Sequence, residues 1–558
     1  MKRTILSALL MLLTGMTAQA DEFEKATEAI KNMGVGWNLG NTLDSHDGQR
    51  VADPTKSETM WGQPVTTAAL MQMMKRAGFG TIRVPVTWYP HMDSNGKVDE
   101  AWMKRVHEVV DYVIGQGMYC LLNLHHDTGE DSDSHQSWLK ADMDAYNNVK
   151  AKYEYLWRQI ATEFRDYDEH LLFESYNEML DTYNSWCFAT FGAPSYNATK
   201  AASAYEAINN YAQTFVDVVR STGGNNAQRN LVVNTYGACN GVGTWNSHLQ
   251  DPLKQMKLPA DEAEGHLLFQ IHAYPNISNL AGAKREVTQM IADLKQYLVA
   301  KGAPVIIGEW GTSDTGSDYQ NNRANLLDFS RYMVQATKQN GMATIKWMGI
   351  SDGISRSLPA FSEPDLAEAI VKGYHGDDFQ GFFPTEDDYE MVFTVNYNGS
   401  WQEMNLYNGT LSVNDYSGIR LELGQTPPAG ALSAKFYGAS TSGTQAITAA
   451  NTLIKLPSNY GTTLQRVTLQ YNRSTSYSTT IKRIALVRKD GTETEVNPTV
   501  FWGCTLTVDS KLKPSGIIQT TANTQQADNR IYTLTGQQLS TTPRRGIYIR
   551  NGRTLLVK

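Results

Sequence analysis

The residues best placed to make and break bonds are two glutamates that each follow an apolar run. Glu178 comes after Leu171-Leu172-Phe173-Glu174-Ser175-Tyr176-Asn177, and Glu309 after Pro304-Val305-Ile306-Ile307-Gly308. Two carboxyl groups held together can split a glycosidic bond. One protonates the leaving oxygen, and the other attacks the anomeric carbon or activates water. A lone glutamate would as readily cap a helix or pair with a surface lysine, whereas two at matched positions argue for a shared task. Residue types alone leave open which of the two attacks.

Other reactive side chains close apolar runs in the same way. Arg83 sits in Ile82-Arg83-Val84-Pro85-Val86-Thr87-Trp88. A permanently charged guanidinium beside a carboxylate keeps it ionised, and Glu309 is the expected partner. His125 and His126 close a third run, and His272 with Tyr274 a sixth. They supply donors and acceptors for sugar hydroxyls or for orienting the carboxylates. Trp37 and Asn38 close the first run and Trp347 the last, putting aromatic faces and an amide where a sugar ring would stack. Three histidines could instead hold a metal. His125 and His126 are adjacent, however, and would point to opposite faces of a strand, and neither His-x-His nor His-Glu-x-x-His occurs, so no metal is expected. The four cysteines, Cys120, Cys187, Cys239 and Cys504, form no Cys-x-x-Cys pair. Cys187 and Cys239 could form a disulfide, while Cys120 lies in an apolar run that suits a buried thiol.

Groups placed at run ends need a scaffold that gathers strand ends. Short apolar runs recur at 34–39, 81–86, 119–124, 171–176, 231–235, 267–272, 305–308 and 344–348. Amphipathic stretches such as 101–116 and 205–220 separate them, with apolar residues at helical spacing. Eight strands alternating with helices predict an α/β fold, a (β/α)8 TIM barrel with its chemistry at the carboxyl ends of the strands. An open doubly wound sheet would carry a Gly-rich phosphate loop after its first strand, and none of that form is present.

Beyond the barrel the texture changes. Segments 389–397, 418–423, 431–437, 464–471 and 480–488 alternate, with Thr, Ser, Asn and Gly between them, as in an all-β sandwich. Trp401, Tyr407, Tyr416, Tyr437, Tyr460 and Trp502 within it could stack on sugars or fill its core. The expected domains are a signal peptide at 1–20, the catalytic barrel at 21–375, a sandwich at 376–510 that could bind carbohydrate, and a linker with a short β segment at 511–558.

Composition narrows the class further. With 41% hydrophobic and 19% charged residues in 558, the chain is neither disordered nor a multispan membrane protein. Lys2-Arg3, an apolar run at 5–13 and Ala18-Gln19-Ala20 form a secretory signal too short to span a bilayer, so a secreted or cell-surface protein is expected. Removing that segment takes the net charge from −8 to −10, which disfavours nucleic acid as a partner. Oligomeric state is open.

The motifs in series point to a family. Gly36-Trp37-Asn38-Leu39-Gly40-Asn41-Thr42-Leu43-Asp44, Glu58-Thr59-Met60-Trp61-Gly62, Arg83 through Trp88, Asn123-Leu124-His125-His126-Asp127, Tyr176-Asn177-Glu178, His272-Ala273-Tyr274 and Gly308-Glu309-Trp310 resemble glycoside hydrolase family 5 in content and order. The likeness covers about 30–370 and is nearest to bacterial endo-β-1,4-glucanases, or cellulases. It implies a retaining, endo-acting enzyme that cleaves cellulose and related β-glucans by double displacement, with Glu178 as acid/base and Glu309 as nucleophile. It further implies that Arg83, Asn177 and Tyr274 position the nucleophile and the sugar 2-hydroxyl, that Asn38, His125, His126, His272 and Trp347 bind substrate, and that no cofactor is required. One departure is the stretch from Trp347 to Asp352, where many relatives place Asn or Asp sooner after the tryptophan. The segment after about 529 resembles the C-terminal sorting segment of Bacteroidetes-type bacteria. Two alternatives stand beside this reading. One is the same chemistry on xyloglucan, mixed-linkage glucan, mannan or xylan, decided by loops 129–138 and 185–198; the other is a non-catalytic glycan-binding protein, against which the presence of both glutamates argues.

Overall fold

A computed structural model of the chain describes residues 23–132, 135–186, 197–242, 251–312, 322–347, 354–356, 358–438, 442–513, 531–532, 538–539, 546–550 and 553–557. The expected signal peptide, Cys187, most of the 185–198 loop, Asp352 and the expected linker from 514 onward lie outside these residues.

Eight short parallel strands form a closed barrel in chain order. They are β1 (Val35–Asn38), β2 (Thr81–Val84), β3 (Tyr119–Asn123), β4 (Leu171–Glu174), β5 (Leu231–Asn234), β6 (Leu267–Ala273), β7 (Val305–Trp310) and β8 (Ala343–Lys346). β1 pairs with β8, Val35 beside Thr344 and Gly36 beside Ile345, so the sheet has no edge and the open doubly wound alternative falls. Helices at Glu100–Ile114 and Ala198–Ser221 match the amphipathic stretches read from sequence.

Each strand is apolar throughout because both of its faces are covered. Outward residues such as Cys120, Leu122, Phe173, Val233, Phe269 and Ile307 share one buried cluster with Val106, Val110, Trp157, Tyr211 and Phe215 of the helices. Inward residues Leu121, Leu172, Val232, Leu268, Ile306 and Ile345 form another. A first helix, α1 (Ala26–Asn32), stops the amino-terminal mouth of the barrel. Its Ala26, Ala29 and Ile30 join that inner cluster, and the Ala26 N–H donates to the Gly265 carbonyl at 2.9 Å, just before β6.

One step up the strands the inward positions turn polar. Asn38, Arg83, Asn123, Glu174, Asn234 and Gln270 are all fully buried. Buried polar groups must find partners, and here most find them in one another. This tier is the floor of the site described below.

The chain divides into two compact units, Met1–Glu386 and Asp387–Lys558. The first runs past the expected limit of 375 because three phenylalanines pack back on it. Phe379 stacks on His375 at 4.2 Å, Phe382 lies under the Arg76 guanidinium at 4.0 Å, and Phe383 meets Phe361 at 5.7 Å.

The second unit contains an antiparallel sandwich of a six-stranded and a five-stranded sheet between Tyr389 and Leu512. Val395, Tyr397, Leu406, Ile419, Leu432, Val467, Leu469 and Ile484 fill its core. All five segments expected as strands are strands. Glu403–Ser412, Ser442–Ile447, Asn451–Lys455, Glu493–Glu495, Thr499–Trp502 and Thr505–Leu512 join them, and their Thr, Ser and Asn content hides the alternation. Of the aromatics read from sequence, Tyr407 and Tyr416 pack against the core, while Trp401 and Trp502 stand 59% and 57% exposed. Four short strands at Ile531–Tyr532, Gln538–Leu539, Gly546–Arg550 and Arg553–Val557 form a separate sheet. No helix among the described residues is long and apolar enough to cross a membrane.

Candidate active site

The site is organised around the Arg83 guanidinium, which is fully buried at the centre of the polar tier. Its Nε and one terminal nitrogen donate to the two oxygens of Glu174, both at 2.7 Å. That second nitrogen also reaches Asn177 Oδ1 at 2.8 Å. The remaining nitrogen donates to Glu309 Oε1 at 2.7 Å and Asn38 Oδ1 at 3.0 Å. Each ion taken out of water costs several kcal/mol, and only a pair with near-ideal geometry offsets that cost. The planar, two-pronged contact with Glu174 is such a geometry.

Glu309 is held at both ends. Arg83 takes Oε1, and the Tyr274 hydroxyl donates to Oε2 at 2.6 Å. Burial pushes its carboxyl above the usual range, while His272, Arg83 and the Tyr274 hydroxyl oppose that push. Glu178 lies four residues beyond the end of β4 and has no cation in contact. Its Oε1 meets His272 Nδ1 at 2.7 Å, and burial pushes its pKa up to about 7, with Arg83 opposing and Glu174 reinforcing. One carboxylate oxygen from each glutamate, together with a His272 nitrogen, falls within a mutual 4.8 Å. That nearness is compatible with the roughly 5–5.5 Å between carboxyl groups of a double-displacement pair. Glu309 lies against the Arg83 cation and Glu178 does not, so the two carboxyl groups differ in how readily they ionise. The arrangement can therefore supply an acid and a nucleophile at the same pH.

A bulge aims these groups. In β6 and β7 the register runs from Ile271 beside Ile307 directly to His272 beside Glu309, so Gly308 is the extra residue. Gly308 must lack a side chain, because a Cβ there would lie 2.1 Å from Gln270 Cδ. Gly40 does the same for Trp347: a Cβ would come within 2.7 Å of the ring. The Trp347 ring instead lies parallel to His125, 5.6 Å away and 9° from coplanar.

An open cleft of about 530 Å³ passes over the two glutamates, walled by Trp61, Trp186, Trp347, His46, His126 and His135. Trp61 and Trp186 are fixed by their indole N–H groups, which donate to the His46 carbonyl at 2.9 Å and to Glu130 Oε2 at 2.8 Å. His46, His126 and His135 lie ring against ring, with centroids 5.0–5.8 Å apart. In a larger groove elsewhere, Arg220 is engaged by Asp261 and two backbone carbonyls.

Ten of the residues singled out from sequence converge here, but Trp37, expected to offer a ring to the sugar, is buried in the core, and three further expectations need correction. Asn38 does not meet substrate: it is fully buried, its amide N–H groups serve the carbonyls of Gly308, Ile345 and Lys346, and its oxygen serves Arg83. His272 is fully buried beneath the two glutamates and holds them instead of lining the cleft. His125 and His126 do not take opposite faces of a strand. β3 ends at Asn123, so strand alternation no longer applies, and both line the cleft.

Sequence reasoning gave no role to Glu174, Asn234, Gln270 and His46; Asn123 and Trp61 entered it only within the family motifs, and Glu130, His135 and Trp186 only within the two loops expected to set specificity. A signal for Asn123, Glu174, Asn234 and Gln270 exists: each is a polar residue at the same level of a largely apolar strand. Among the described residues, two groups of side chains come close enough to hold a cation, Asp44 with His125 and His126, and Glu178 with His272 and Glu309. Asp44 already accepts the N–H groups of Asn41 and Thr42 at 3.0 and 2.7 Å, and the second group has the Arg83 charge within it.

Comparison with known proteins places this geometry. A family model described as cellulase (glycosyl hydrolase family 5) matches residues 45–353. Endoglucanase A of Clostridium longisporum is 32% identical over 396 residues, covering 66% of this chain and 70% of its own. Endoglucanase B of Neocallimastix patriciarum is 31% identical over 369 residues, 62% of this chain and 71% of its own. Among solved structures, a GH5-4 broad specificity endoglucanase from an uncultured bacterium is 56% identical with a TM-score of 0.61, covering 63% of this chain and 97% of that one. A mutant family 5 enzyme from Prevotella bryantii B14, in complex with a xyloglucan tetradecasaccharide, is 42% identical with a TM-score of 0.57, covering 63% and 99%.

The contact between Gly40 and Trp347 is open to test. Gly40→Ala is expected to drive the Trp347 ring off the cleft wall and to weaken binding of a β-linked oligosaccharide about tenfold, the scale of one lost aromatic contact. Titration calorimetry reads this directly, and unchanged affinity would show that the ring is not a binding platform.

Proposed function

The chain belongs to glycosyl hydrolase family 5, and from that premise we propose that it is a retaining endo-1,4-β-glucanase that cuts internal bonds of cellulose-like β-glucans. Glu309 attacks the anomeric carbon and forms a glycosyl-enzyme, while Glu178 gives its proton to the leaving oxygen. Glu178 then takes a proton from water as that water releases the sugar from Glu309. The observation that carries this reading is the unequal environment of the two carboxyl groups: Arg83 and Tyr274 hold the charge on Glu309, and Glu178 is left without a cation. Asn177, held by Arg83, is placed to meet the sugar 2-hydroxyl, and Trp347, His125 and His126 to meet the ring.

An open cleft walled by tryptophan and histidine faces favours the stacking of glucan rings. The likeness to proteins described as broad specificity and as bound to xyloglucan supports the same breadth here. In the second unit, exposed Trp401 and Trp502 support a role in holding polysaccharide. Export, by a signal cleaved after Ala20 and by a sorting segment at the C-terminal end, is supported by the sequence patterns alone.

Three measurements test these points. Reducing-sugar release from carboxymethyl-cellulose, barley β-glucan, xyloglucan, glucomannan and xylan should show cleavage of the glucans, and Glu309→Gln should lose about three or more orders of magnitude. Failure of the unaltered protein on every polymer would leave only the glycan-binding alternative. The pH profile of kcat/KM should rise as Glu309 ionises and fall as Glu178 loses its proton, with the alkaline limb near the Glu178 value of about 7. A limb in the ordinary carboxylate range would contradict the acid role of Glu178. Finally, Trp401→Ala combined with Trp502→Ala should weaken retention on insoluble cellulose and leave turnover of soluble glucan unchanged; equal retention would assign those rings another role.

A further inference from the structure

Gln270 has no place in the reaction just described, yet the structure makes room for it. It is fully buried in the barrel, on the same face of β6 as His272 two residues on, and Gly308 lacks a side chain where Gln270 passes. Its Nε2 faces His272 Nε2 at 3.4 Å, and its Oε1 has no hydrogen-bond partner. Asn234, its register neighbour on β5, donates to Glu174 Oε1 at 3.2 Å and to the Asn177 carbonyl at 3.0 Å, and likewise leaves its own oxygen unpartnered.

A neutral imidazole has one donor and one acceptor nitrogen, and the neighbours decide which is which. His272 Nδ1 faces two carboxylate oxygens, Glu178 Oε1 at 2.7 Å and Glu309 Oε2 at 3.4 Å. A bare lone pair there would oppose both of them. Hydrogen on Nδ1 satisfies that side and makes Nε2 the acceptor, which is the nitrogen the Gln270 amide meets with N–H. The charged and titratable groups around the ring are Glu178 and Glu174 from the β4 end, Glu309 on β7, Arg83 on β2, and His125 and Tyr274 beyond β3 and β6. Burial drops the His272 pKa to about 4, so the ring is neutral at working pH.

We propose that Gln270 is a positioning residue of the reaction: its side-chain NH2 holds His272 in the tautomer with hydrogen on Nδ1, which occupies Glu178 Oε1 and so leaves Oε2 to carry the transferable proton. A neutral amide is the group this task needs. A carboxylate at the same place would draw a proton onto Nε2 and make the ring a cation. A cation 2.7 Å from Glu178 would strip the acid of its proton at neutral pH.

The inference rests on Glu178 being the acid/base, and the tests separate the two claims. In the full chain labelled with 15N-histidine, the His272 ring, assigned by its loss in His272→Gln, should show hydrogen on Nδ1 and a bare Nε2. Hydrogen on Nε2 instead would overturn the proposal whatever the variants do. Gln270→Glu should move the alkaline limb of kcat/KM down by about one pH unit or more and lower kcat at pH 7 at least about tenfold, with KM changed less than about threefold. Gln270→Met, similar in size but without the amide, should lose rate without that downward shift. A Gln270→Glu enzyme whose limb stays in place, or a Gln270→Met enzyme that shows the same shift, would make Gln270 merely structural. If instead Glu178→Gln retained full activity, the acid assignment itself would fall, and the tautomer result would stand or fall separately.

Discussion

Everything at the catalytic end of this barrel depends on one buried cation. Arg83 is surrounded by Glu174, Glu309, Asn38 and Asn177, and no water reaches it. Glu174 and Glu309 together outweigh its single charge, so the pocket is already one negative charge in excess before Glu178 is considered. Glu178 has no cation in contact, and burial, reinforced by Glu174 and opposed by Arg83, pushes its pKa up to about 7.

The same cation links floor and wall. The two-pronged contact with Glu174 fixes the guanidinium plane, and the plane fixes where Glu309 and Asn177 can sit. Asn38 reaches from β1 to the carbonyls of Gly308, Ile345 and Lys346, tying the first strand to the seventh and eighth. Side chains from distant stretches of chain therefore share one rigid tier, and rigidity of this kind lets charge stabilisation act without reorganisation.

Much of this was legible in the sequence, and the gaps have physical causes. The eight strands stood out because both of their faces are buried, and Glu178 and Glu309 stood out because each is a carboxylate that follows an apolar run. The edges of the sandwich were obscure because Thr499–Trp502 and Thr505–Leu512 are largely exposed and bear little apolar alternation. His125 and His126 were misread since alternation was carried two residues past the end of β3. Glu174 was passed over as part of a strand, although a carboxylate amid Leu171, Leu172 and Phe173 demands a buried cation. The roles of Gly40 and Gly308 depend on ring and amide atoms brought from elsewhere in the chain, which no local pattern encodes.

The pairing of β1 with β8 has a consequence for how the chain reaches its native state. Val35 and Thr344 are neighbours in the closed sheet, and α1, which seals the amino-terminal mouth, packs on residues from β3 through β8. During synthesis the earliest strand must wait, with an unpaired edge, until almost the whole of the first unit has emerged. Contacts so distant in sequence are slow to form, and the waiting edge can pair wrongly with another chain. The barrel is thus a fold completed last at its beginning.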